Sequence, residues 1–97
     1  MALVLGMQLE KDNEIYLNDL RIEVDGFLPP DQAQITVHGD YMTEKLILSE
    51  HRMSEVIPGV SMMLSKGVNN HKYCRILVEA PRSVKVERGA RYHQADE

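Results

Sequence analysis

Tryptophan is absent from this 97-residue chain, and phenylalanine and cysteine occur once each. An internal disulfide needs two cysteines, so Cys74 points to a reducing interior and a cytoplasmic location. Cys74 itself reads as a small buried apolar residue. No apolar run approaches the roughly 20 residues of a membrane span. The opening MALVLGMQLEKDNE lacks the basic start and long apolar stretch of a secretory leader, and no membrane partner is expected. Also missing are a glycine-rich phosphate loop, a nucleophile elbow and a persuasive pair of carboxylates, so catalysis is not expected. His38, His51, His71 and His93 follow no metal-ligand spacing, so neither metal nor cofactor is expected.

What remains is an ordinary globular composition, 43% hydrophobic and 27% charged, in a chain long enough for one small domain. The formal net charge of −4 hides an asymmetry. Residues 1–44 hold two basic and nine acidic side chains, a balance of −7; residues 45–97 hold nine basic and six acidic, a balance of +3. The densest positive stretch is RSVKVERGAR (82–91), with Arg82, Lys85, Arg88 and Arg91 against Glu87 alone. An anionic partner should look there first.

Hydrophobic patterning predicts an all-β fold. ALVLGM (2–7), EIYLND (14–19), LRIEV (20–24), QAQITVHG (32–39), KYCRILVEA (72–80) and SVKVER (83–88) all read as strands. In LRIEV, Leu20, Ile22 and Val24 share one face; in SVKVER, Val84, Val86 and Arg88 do. DGFLPPD (25–31) reads as turn chemistry, because Pro29-Pro30 cannot continue a ladder. TEKLILSEHRMSEVI (43–57) has helical propensity, with Thr43 as a cap and Pro58-Gly59 as a stop. VSMMLSKG (60–67) suits either state, and Met62-Met63 suits core packing.

An internal repeat overrides the helical reading. Leu3, Val4 and Leu5 align with Leu46, Ile47 and Leu48 at an offset of 43. Glu14-Ile15 aligns with Glu55-Val56, and AQITVHGD (33–40) with CRILVEAP (74–81), both at 41. The turn residues at 25–26 fall on Lys66-Gly67. After Pro81 the second copy continues RSVKVERGARY, whereas the first has only YMTE after Asp40. The chain therefore divides into a partial copy at 1–44 lacking its last strand, a full copy at 45–92, and a tail at 93–97.

The second copy resembles the carbon storage regulator family (CsrA-like proteins) across residues 45–92. LILSEHRMSE is similar to the family's opening pattern, CRILVEAP to its fourth strand and the Ala-Pro that follows, and SVKVERGARY to its fifth strand. ALVLGM, EIYLND and QITVHG carry a fainter likeness in the first copy. The resemblance implies a small interleaved β-barrel or sandwich with a short C-terminal helix. It implies that the first strand of one copy lies beside the fifth strand of the other, forming a surface that grips GGA elements in messenger leaders. Two copies in one chain would then form a tandem-repeat pseudo-dimer that supplies the neighbour's strand in cis. Leu3–Gly6 would lie beside Val84–Arg88 and make one complete RNA surface.

On that reading Arg88 is the leading site residue, since a guanidinium contacts phosphate or pairs bidentately with guanine. Arg82, Lys85 and Arg91 join it, although basic residues on an edge strand also resist aggregation. Val84 and Val86 would support bases or simply pack. Ala80-Pro81 would present main-chain groups, and Leu5 and Gly6 the opposite wall. The expected function is post-transcriptional control by RNA binding. The alternative is a protein-binding module that has lost RNA binding and regulates a related subunit by pairing with it. A third layout is a homodimer in which residues 28–70 are one long insertion.

Overall fold

The computed structural model describes residues 1–28, 31–69 and 72–95. Among these, strands β1 (Ala2–Gln8), β2 (Glu14–Leu17), β3 (Leu20–Leu28), β4 (Gln32–His38), β5 (Thr43–Ser49), β6 (Ser54–Ile57), β7 (Val60–Asn69), β8 (Tyr73–Glu79) and β9 (Val86–Arg88) precede one helix, α1 (Gly89–Ala95). The all-β expectation with a short C-terminal helix therefore holds. The strands form two antiparallel sheets, ordered β1-β8-β7-β6 and β5-β4-β3-β2-β9. No helix among the described residues is long and apolar enough to cross a membrane.

Period-two alternation decides which residues face inward. Met62 and Leu64 on β7 and Cys74, Ile76 and Val78 on β8 are buried in one sheet; Ile15, Leu17, Ile22, Val24, Ala33, Ile35 and Val37 are buried in the other. Met7 on β1 and Leu48 on β5 are fully enclosed, so each sheet draws an edge strand into the common core. The facing apolar surfaces supply most of the driving force for the sandwich. Burial pushes the Cys74 thiol up to about 12, which leaves it a protonated packing residue.

The sheets exchange chain segments. β1 pairs with β8, from Ala2 opposite Glu79 to Gln8 opposite Tyr73. β5 pairs with β4, from Thr43 opposite His38 to Ser49 opposite Gln32. β1 thus borders a strand from the second half of the sequence, and β5 a strand from the first. Residues 43–69 supply β5 to one sheet and β6 and β7 to the other.

Several local expectations shift. The segment 43–57 forms two strands, because seven consecutive residues of β5 pair with β4 and outweigh its helical propensity. Asp25-Gly26 does not reverse the chain; the register slips between Val24 and Gly26, and β3 runs on to Leu28 through a bulge. The matching positions at 66–67 likewise lie within β7, beside a slip between Leu64 and Lys66. The proposed turn at Pro29-Pro30 lies outside the described residues. β9 is shorter than SVKVER, since residues 82–84 form a turn closed by the Val84 N–H donating to the Pro81 carbonyl at 3.0 Å. Residues 93–95 of the expected tail at 93–97 belong to a helix that begins at Gly89.

Candidate nucleic-acid interface

β9 is held in place by residues distant in sequence. Asn18 adopts a left-handed conformation with φ 56°, which asparagine tolerates. There its N–H donates to the Lys85 carbonyl at 2.8 Å, while its Oδ1 accepts the Lys85 N–H at 2.9 Å. The strand then pairs with β2, with Leu17 opposite Val86, Tyr16 opposite Glu87 and Ile15 opposite Arg88. At Gly89 a Cβ would lie 2.9 Å from Glu14 Cβ, so glycine permits the close approach of helix to strand.

α1 is fastened by its aromatic face. Tyr92 stacks on Tyr16 with ring centroids 3.8 Å apart and planes inclined by 4°. The Tyr92 hydroxyl donates to Asp19 Oδ1 at 3.1 Å, and the Ala90 N–H to Asp12 Oδ1 at 3.3 Å. His93 stands edge-on to Tyr16, with Nε2 3.3 Å from Glu14 Oε1. Arg21 Nη1 donates to Glu14 Oε2 at 3.1 Å. Burial alone would raise the Glu14 pKa, but Arg21 and His93 together outweigh it and hold the carboxyl below its usual range.

β1 is pinned at the other side. The Met1 amino group donates to the Ala80 carbonyl and the Ala80 N–H to the Met1 carbonyl, both at 3.0 Å. β1 and β9 belong to different sheets and are not a hydrogen-bonded pair. Between them lies an open groove of about 480 Å³, lined by Leu3, Leu5, Lys85, Val86, Glu87, Arg88 and Arg91. Leu3, Leu5 and Val86 are half-buried and give it apolar walls. Lys85, Arg88 and Arg91 supply the positive charge, each beside a carboxylate. Arg88 Nε lies 3.8 Å from Asp12 Oδ2, and Glu87 sits between Lys85 Nζ at 3.4 Å and Arg91 Nε at 3.7 Å.

Of the residues singled out in the sequence, the groove gathers Leu5, Lys85, Val86, Arg88 and Arg91. Gly6 is instead covered by Tyr73, whose hydroxyl would lie 2.8 Å from an added Cβ. Ala80 is buried, with its N–H and carbonyl both bonded to Met1, and the Pro81 carbonyl is taken by Val84. Val84 is half-buried against the core, and Arg82 is exposed on the turn beyond the groove's lining. Sequence reasoning missed Asp12, Glu14, Tyr16 and Asn18, which approach the terminal segment only through folding. Tyr92 carried a signal, as an aromatic residue shortly after the fifth-strand pattern.

Among the described residues no cluster of three or more His, Cys, Asp or Glu side chains is arranged to hold a metal ion. No protein-family model matches the chain, and no curated protein and no solved structure matches it.

Proposed function

We propose that the chain is a single-chain counterpart of an interleaved carbon storage regulator dimer, and that it binds GGA-type elements in messenger leaders through the β1–β9 groove. The observation that carries this reading is the groove itself. An opening strand from one half and the basic terminal strand from the other border one apolar-walled cleft with three cations. Apolar walls suit the faces of unstacked bases, and guanidinium and ammonium groups suit phosphate and guanine edges.

Strand registers support the tandem reading. Met7 opposes Cys74 and Leu48 opposes Ala33, a displacement of 41 residues for both members of the pair. Bridges join Gln8 to Asp12 and Ser49 to Arg52, and the two third strands slip after Val24 and Leu64. On this alignment the opening strands match at 41 rather than 43, with Leu5 equivalent to Leu46 and Leu3 to Glu44.

The same alignment favours one RNA site per chain. Among the described residues no strand borders β6 on its outer side, and Glu44 stands where the proposed groove has Leu3. At the same offset of 41 Glu14 falls on Glu55 and Tyr16 on Ile57, so β6 carries no counterpart of the tyrosine that receives α1. A slip between Glu55 and Ile57 further bends this short edge. Bulge, charge and brevity all discourage strand addition, which makes pairing with another subunit through β6 the weaker alternative.

The test is titration of a hairpin RNA carrying GGA in its loop against wild type and Arg88→Ala. Arg88 is 49% exposed beside Asp12, so its loss should change folding stability by no more than about 0.5 kcal/mol. Binding should weaken by about 1–3 kcal/mol. Equal affinity of the two proteins would refute the assignment.

A further inference from the structure

The cations of the groove are already matched to carboxylates inside the chain, and the matching is uneven. Glu87 has a side chain only 11% exposed, whereas its partners Lys85 and Arg91 are 70% and 80% exposed. The carboxylate is therefore the enclosed member and the cations are the accessible ones. Its backbone is paired opposite Tyr16 on β2, and Arg91 lies four residues beyond it, in α1. It stands within the groove lining, between the two cations that an RNA backbone would have to recruit.

Resting on the RNA-binding reading above, we infer that Glu87 is a built-in competitor for the RNA backbone. Its carboxylate occupies Lys85 and Arg91 as a phosphate would, and so sets how strongly the groove binds polyanions irrespective of sequence. A phosphate entering beside β9 must draw a cation from Glu87 and also tolerate the carboxylate's charge. Both effects lower the non-specific, salt-dependent part of binding. Contacts to bases, made by the apolar walls and Arg88, do not pass through Glu87. Discrimination between a GGA loop and other single strands then rests on those contacts.

Replacing Glu87 with Gln keeps the shape and removes the charge. One added phosphate contact steepens the salt slope for single-stranded nucleic acid by about 0.7, or about five-fold in affinity over a tenfold dilution of salt. The experiment measures binding of a GGA hairpin and of a GGA-free single strand, across salt concentrations, to wild type, Glu87→Gln and Asp40→Asn. Asp40 is exposed in the β4–β5 connection and lies outside the groove, so its variant carries the same change of net charge elsewhere. Glu87→Asp, which shortens the carboxylate's reach to Lys85 and Arg91 and keeps the net charge, is a second variant should Glu87→Gln fold poorly.

The expected result is tighter binding of both RNAs by about five-fold at low salt for Glu87→Gln, with a steeper slope and little change for Asp40→Asn. A gain shared equally by Asp40→Asn would overturn the inference in favour of net charge. Unchanged or weaker binding by Glu87→Gln, with wild type still dependent on Arg88, would overturn it while sparing the RNA reading. Where Glu87→Gln folds poorly, Glu87→Asp decides: tighter binding with a steeper slope upholds the competitor mechanism, and unchanged binding overturns it. No binding by any of the proteins at low salt would sink both.

Discussion

Substituting Tyr92 tests how the terminal helix is held. α1 has seven residues, too few to stay helical alone in water, so its helicity reports its docking on β2. Tyr92→Ala removes a parallel stack at 3.8 Å and a hydroxyl bond to Asp19 at 3.1 Å. An aromatic pair contributes about 0.5–1.5 kcal/mol beyond its buried area. A surface hydrogen bond adds about 0.5 kcal/mol, so the expected loss is about 1–2 kcal/mol. That corresponds to roughly 5- to 30-fold more frequent undocking. Hydrogen exchange of the His93 amide, which lies within α1, reads it directly, and Tyr92→Phe should lose only the hydroxyl's share. The global unfolding midpoint should move far less than the local exchange, because Tyr92 lies outside the enclosed core. Wild-type exchange in Tyr92→Ala would refute the claim that the stack holds the helix.

Acid should loosen the same region. The Glu14 pKa in the folded protein lies below its ordinary 4.5, so its contribution is complete above that value and is lost as pH falls through the folded pKa. Melting temperatures from about pH 5 down to about pH 3 should fall less steeply in Glu14→Gln than in wild type, and matching slopes would count against the Arg21–Glu14–His93 cluster. Gly6→Ala should destabilise by about 1 kcal/mol in urea unfolding, because the new methyl meets Tyr73. Adding Tyr73→Phe removes the nearest atom, the hydroxyl at 2.8 Å, and should recover most of the loss; no recovery would locate the strain elsewhere.

The sequence made β4 and β8 legible because alternation and burial agree there: Ala33, Ile35 and Val37, and Cys74, Ile76 and Val78, all point inward. The segment 43–57 was legible only through its likeness to residues 3–15, since local propensity favours a helix and long-range pairing with β4 decides otherwise. Register was harder. Leu3, Val4 and Leu5 resemble Leu46, Ile47 and Leu48 as letters, yet the fully enclosed residue is Met7 on β1 and Leu48 on β5. A slide of two residues keeps the same side chains inward, so alternation alone cannot detect it. The basic member of the groove was visible as a charge run. Its neutralisation by Asp12, its support from Asn18 and the tyrosine stack involve residues 67 to 76 positions apart, for which a single sequence carries no signal.

The central claim is that an opening strand and the terminal strand together form one RNA site per chain. Methyl-labelled protein titrated with the GGA hairpin tests it most directly, with stoichiometry and location read from the same spectra. The account predicts saturation at one RNA per chain, with shifts at Leu3, Leu5 and Val86 and none at Leu46 or Ile47. Saturation at two RNAs per chain, or shifts that spare Leu3 and Leu5, would contradict it.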